Sequence, residues 1–135
     1  MKLRHLQIAF VLSGVSAFAA TEAMPAEHQA QPRWLALDNA EAKSEGGAKV
    51  ARQTDESYLA SGTNVGHDTY TFTVRAPVTG MTAVKLEAIA DASLVRSGPG
   101  RASNGNFALS TIEMSVAPPA GAVVKAKFVK ALLKS

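Results

Sequence analysis

"DTYTFTVR", residues 68 to 75, alternates without a break: Tyr70, Phe72 and Val74 fall on one side and Thr69, Thr71 and Thr73 on the other. A period of two sends successive side chains to opposite faces of an extended chain, so the stretch predicts a half-buried β-strand. "MTAVKLEAIAD", residues 81 to 91, repeats the pattern, with Val84, Leu86 and Ala88 facing inward and Lys85 and Glu87 facing water. Between the two, "PVTG" joins a fixed proline dihedral to a glycine, which predicts a tight turn and hence a hairpin.

Working outward, "WLALD", "KVARQ" and "YLAS" read as three shorter strands, separated by Gly46-Gly47 and Asp55-Glu56. "NFALSTIEMSV", residues 106 to 116, carries Phe107 and Leu109 in one register but Ile112, Met114 and Val116 in the other. A slip of one residue near Ser110 and Thr111 brings both sets to the core side, so a bulged strand is expected there. Short strands punctuated by turn signals at roughly ten-residue spacing predict an all-β fold, an antiparallel β-sandwich or barrel over residues 34 to 117. At 135 residues the chain has room for one domain.

The first residues follow another logic. Lys2 and Arg4 make a basic start, "LQIAFVLSGVSAFA" is apolar, and Ala17-Phe18-Ala19 has the small-x-small pattern of a cleavage point. That order of charge, apolar run and small residues reads as a secretory leader over residues 1 to 19, and the expected location is outside the cytoplasm, periplasmic or extracellular. The run is too short to span a bilayer comfortably. Of 14 basic residues against 11 acidic ones, which give +3, Lys2 and Arg4 lie in this stretch, so its removal lowers the net charge to +1. The body between Trp34 and Val116 is nearly neutral, which argues against a nucleic-acid partner. Without a single cysteine, an exported fold must be held by burial instead of disulfides.

Residues 20 to 33, polar with two prolines, read as a flexible lead-in. At the other end, "APPAG" breaks any regular element and sets off residues 118 to 135 as a linker and basic tail. "VVKAKFVKALLKS" fits an amphipathic helix, with Val124, Phe128, Ala131 and Leu132 on one face and Lys127, Lys130 and Lys134 opposite, suited to an anionic surface. It fits a strand equally, because Val124, Ala126 and Phe128 alternate with Lys125 and Lys127.

Candidate ligand-binding residues gather in the long connection from Asp91 to Asn106. Arg101 offers a planar fork for an anion or a sugar hydroxyl, and Asn104 and Asn106 offer donors and acceptors together. The opposing reading makes Gly98-Pro99-Gly100 and Asn104-Gly105 turns, with Arg101 pinning loop carbonyls. A sugar also needs aromatic platforms, for which Trp34 and Tyr58 are candidates, while Tyr70, alternating with Phe72, reads as core. Asp68, beside His67, is a weak candidate for a structural calcium ion or, more simply, for bonding local amides. No other cofactor is expected.

Catalysis has little material. "GRASNG" has phosphate-loop glycine spacing but lacks the following Lys-Ser/Thr and a helix to open. No G-x-S-x-G elbow occurs. Glu87 and Glu113 are the outward members of alternating strands, with no apolar pocket indicated to raise either pKa. The expected protein is therefore not an enzyme.

The motifs "LASG", "DTYTFT", "TAVKLEA" and "GPGRASNGNF" resemble a recurrent module of large secreted planctomycete proteins, where it accompanies a cytochrome-c-like domain and paired domains of unknown function. The resemblance covers about Trp34 to Ala117 and implies a jelly-roll of galactose-binding or lectin-like type. This chain departs from that pattern at Asp55-Glu56-Ser57, where "DGS" is common, at Ala90 and Val95, where prolines are common, and at Thr111, where an acidic residue is common. "VVKAKFVKA" looks like the start of a second, similar module, which implies a shortened derivative of a longer protein. The function expected from residues and resemblance together is weak binding of a polysaccharide or cell-envelope polymer; the competing expectations are a structural spacer without a ligand and a basic tail on an inert carrier.

Overall fold

A computed structural model of the chain describes residues 1–10 (2–10 by their backbone), 33–36, 39–76 and 80–132. Nine strands are present among these: β1 (Lys2–Phe10), β2 (Arg33–Ala36), β3 (Glu41–Ser44), β4 (Ala48–Arg52), β5 (Tyr58–Gly62), β6 (Tyr70–Thr73), β7 (Met81–Ile89), β8 (Ser115–Val116) and β9 (Val124–Lys125). One short 3-10 turn at Val95–Ser97 is the only helical element among the described residues. The β-rich expectation holds, and every pairing is antiparallel.

The largest sheet is built around β1. It pairs along its length with β7 on one side, from Lys2 opposite Ile89 to Phe10 opposite Met81. On its other side it meets β5 through Lys2 and Leu3 and β2 through residues 7 to 10. β5 continues to β4 in an unbroken five-residue register, Ala48 opposite Gly62 and Arg52 opposite Tyr58. Gln53–Ser57 closes that hairpin: the Gln53 amide donates to the Ser57 carbonyl at 2.7 Å, and Asp55 Oδ1 accepts from the Ser57 amide at 3.1 Å and from its hydroxyl at 2.5 Å. These bonds let the Ser57 side chain be fully buried, since its polar atoms have partners.

β3 and β6 form a second sheet, with Glu41 opposite Thr73 and Ser44 opposite Tyr70. It meets the first where the Tyr58 and Phe72 rings pack edge to face at 5.4 Å between centroids. That geometry brings a ring edge to a ring face, the favoured electrostatic arrangement. Tyr58 and Ala60 are the buried apolar residues among those described, so the core sits at this junction.

Several expectations need correction. The alternation of β6 is as read, with Tyr70 and Phe72 half-buried and Thr71 and Thr73 exposed. Its partner, however, is β3 and not β7, so the hairpin across residues 77 to 80 does not form; residues 77–79 lie outside the described ones. Period-two patterning fixes which face a strand buries but not which neighbour it joins. In β7 the expected contrast is blurred: Val84 through Ile89 are all half-buried, and Lys85 and Glu87 pair with each other along the strand. The bulged strand expected over residues 106 to 116 shrinks to Ser115–Val116, and Phe107, Leu109 and Ile112 are exposed.

The tail takes the strand alternative. Val124 lies opposite Val116 and Lys125 opposite Ser115, supported by a Lys125–Glu113 ion pair at 2.7 Å and the Ala126 amide donating to Met114 at 2.8 Å. "APPAG" forms the bend between these strands, and Gly121 at φ 124 occupies a conformation that suits glycine. At the other end, residues expected as a leader form β1, while residues 11–32, with the expected cleavage point and most of the lead-in, lie outside the described residues.

Candidate functional site

Two of the polar residues singled out in the sequence, Asp68 and Arg101, meet at the end of β5 and the start of β6. Asp68 stands at its centre. Its Oδ2 accepts from the Ser44 hydroxyl at 2.6 Å and its Oδ1 from the Gly46 amide at 2.7 Å. Ser44 Oγ in turn accepts from the Ala48 amide at 2.9 Å, which ties the β3–β4 turn to the same point. Gly46 is needed for this approach: a Cβ there would meet Val65 Cγ2 at 2.5 Å and Asp68 Cγ at 2.8 Å. Partial burial pushes the Asp68 carboxyl up, but hydrogen bonds from Ser44, Gly46, Tyr70 and Thr69 outweigh it and hold its pKa below the ordinary carboxylate value.

Tyr70 links Asp68 to Arg101. Its hydroxyl lies near enough to the Asp68 carboxylate and to the guanidinium for each to shift its titration. Burial raises the Tyr70 pKa; the bond from Arg101 pulls it down, and the Asp68 charge pushes it up again, leaving it above the usual phenol value. Arg101 Nη2 also donates to the Gly62 carbonyl at 2.5 Å, and Asn64 Nδ2 donates to the Arg101 carbonyl at 3.0 Å. The guanidinium therefore reaches across to the end of β5, leaving Nη1 buried without a partner.

The connection bearing Arg101 is folded on itself. Asp91 N donates to Gly98 O at 3.3 Å, Gly100 N to Gly105 O at 2.9 Å and Ala102 N to Asn106 O at 3.3 Å. A Cβ on Gly98 would fall on the Gly105 carbonyl, and one on Gly100 on that of Asn106, so the two limbs of the loop touch backbone to backbone. Asn104 Oδ1 accepts from the Asn106 amide at 3.0 Å, the local turn that asparagine favours. Both asparagines are otherwise exposed.

The expected site residues thus divide. Arg101 and Asp68 come together through Tyr70, which the sequence reading had placed as core only. Asn104 and Asn106 stay on the loop's outer limb. Tyr58 is 8% exposed, and its hydroxyl donates to the Ala40 carbonyl at 3.0 Å, which places it in the core. Trp34 is 39% exposed on β2. The part of Tyr70 was open to inference from its position two residues after Asp68, the spacing at which strand side chains share a face.

No group of three or more histidine, cysteine, aspartate or glutamate side chains able to hold a metal occurs among the described residues. Asp68 brings one carboxylate, already engaged by protein donors. Among the described residues no helix is long and apolar enough to cross a membrane. Comparison with protein-family models, with curated proteins and with solved structures gave no match.

Proposed function

We propose that this chain is an exported, non-enzymatic β-module whose polar loop is a structural clasp, so that the protein serves as a spacer within a larger envelope assembly. The observation that carries this reading is the placement of Arg101: its guanidinium and its carbonyl both bond to the β5–β6 segment, at Gly62 and Asn64. A side chain held this way closes a loop onto a strand. On this reading the two sheets belong to a jelly-roll of the kind the sequence resemblance implies, and the N-terminal stretch acts as a leader removed near Ala19. The test is Arg101→Ala assayed both ways. The melting temperature should fall while retardation on polysaccharide affinity gels stays unchanged from wild type; a weakened retardation at constant melting temperature would overturn the clasp.

One observation favours a second reading, weak carbohydrate binding. The Trp34 ring is partly open to solvent, and Asn104 and Asn106 are exposed with amide groups of both polarities. Trp34→Ala should then abolish gel retardation without a change in secondary structure. Wild type that migrates unretarded on every polysaccharide removes this reading.

A further inference from the structure

β1 is both the central strand of the largest sheet and the segment whose composition marks it for removal. Its loss leaves the inner edge of β7 and the facing edges of β5 and β2 without partners, a row of backbone donors and acceptors that a fold does not leave open. At the same time residues 106 to 114, whose apolar side chains fit one face of a bulged strand, lie outside any sheet with Phe107 40%, Leu109 57% and Ile112 45% exposed.

We propose that these two features are one device: the slot beside β7 is an acceptor for an extended segment, filled by residues 2–10 in the precursor and by residues 106–114 of the same chain once the leader is gone. This rests on the reading that the leader is removed on export.

Three observations support the exchange. The first is direction. β1 runs antiparallel to β7, with Lys2 opposite Ile89. Residues 90 to 105 fold back on themselves, with Gly100 backed against Asn106 and Phe107, so the chain re-emerges at Phe107 beside the end of β7 that it left. From there an antiparallel return follows the course of β1. Met1 starts from the same place, because its amine feels the charges of Arg101 and Asp91.

The second is register. Between Arg4 and Gln7, opposite Glu87 and Lys85, β1 carries one extra residue, a bulge in mid-strand, and between Ala9 and Phe10, opposite Ala83 and Met81, the extra residue is on β7. Setting Phe107 in the place of Leu3 puts Ile112 in the place of Ile8, opposite Val84, and Met114 in that of Phe10, opposite Met81. The bulge then falls at Leu109 and Ser110, one residue before the slip near Ser110 and Thr111 that the apolar register of "NFALSTIEM" calls for. A segment that needs a bulge to keep one face apolar meets an edge already shaped for a bulged partner.

The third is electrostatic. Burial and then the Arg101 charge lower the Met1 amine pKa from 8.0 to about 6, with Asp91 acting against them. The occupant seen in the structure therefore brings an amine whose charged form is disfavoured there, whereas Gly105, which the exchange sets in the place of Met1, brings an uncharged peptide group.

The experiment uses the full chain. Ile8→Pro removes a backbone donor from the middle of β1 and blocks it as a central strand. An Ala83→Cys, Glu113→Cys pair, placed where the exchange sets these positions opposite, reports the new contact in a chain with no other thiols. The precursor bearing this pair should stay reduced under mild oxidant, while the Ile8→Pro precursor and exported protein lacking residues 1–19 should form the crosslink. Amides of residues 107–114 should also exchange about tenfold more slowly in Ile8→Pro than in wild type, with β7 protection kept. An Ile8→Pro chain that loses β7 protection, fails to fold or does not crosslink overturns the exchange, because the replacement strand should rescue the sheet. The mass of the exported protein reports leader removal separately: if residues 1–19 are retained, the export reading fails while the Ile8→Pro result still decides the exchange.

Discussion

Asp68 shows how one side chain gathers three segments of the chain. Its carboxylate takes donors from β3, from the turn after it and from Tyr70, and each donor favours the charged form. A carboxyl whose folded pKa lies below its unfolded value contributes stability that is complete above the unfolded pKa, about 4, and is lost as pH falls through the folded one. The melting temperature of the wild type should therefore drop below about pH 4, and Asp68→Asn should flatten that drop. At pH 7, Asp68→Ala should cost about 2 kcal/mol in urea unfolding, since bonds to a charged acceptor are lost and the Ser44 and Gly46 donors are left without it. The sequence pointed to Asp68 as a residue that bonds local amides, whereas its partners Ser44 and Gly46 lie more than twenty residues away. It did not reveal the reach to Arg101, because a hydrogen bond across more than thirty residues leaves no local pattern.

Elements were legible in proportion to their alternation. β6 could be read from Tyr70 and Phe72 between threonines, and β4 and β5 from short apolar runs beside turn residues. β3, "EAKS", passed unnoticed because Ala42 and Ser44, its inward residues, are small and carry almost no hydrophobic signal. Pairing was the weakest inference, since an exposed turn such as "PVTG" suits a hairpin whether or not its strands find other partners. The loop over residues 90 to 105 is the element where composition and geometry agree most closely: glycines stand where its limbs press together. Gly100→Ala would drive a methyl onto the Asn106 carbonyl and should lower stability by about 2–3 kcal/mol. Gly66→Ala, where a Cβ meets nothing within 4 Å, should stay within about 0.5 kcal/mol of wild type. Thermal melts of the two variants side by side check the contrast, and equal losses would mean that the limbs do not touch.

For the molecule as a whole, the balance of buried and exposed apolar surface matters more than any one contact. Tyr58 and Ala60 are the buried apolar residues among those described, whereas Phe107, Leu109, Ile112, Val124 and Leu132 face solvent. A chain with no cysteine has only burial and hydrogen bonding to hold it, so this distribution among the described residues bears directly on its stability. The slope of unfolding free energy against urea scales with the surface exposed on unfolding, which turns that distribution into a measurable quantity. If residues 106–114 replace β1, Phe107 and Ile112 leave solvent, and the chain that begins after residue 19 should show a steeper slope and a higher midpoint than the precursor despite being shorter. Ile112→Glu, which places a charge opposite Val84 in the exchanged sheet, should erase that gain in the processed chain and leave the precursor nearly unchanged, because Ile112 is exposed there. Urea titration of the four proteins decides the matter: a processed chain with a shallower slope than its precursor would mean that β1 is irreplaceable and that the folded protein keeps it.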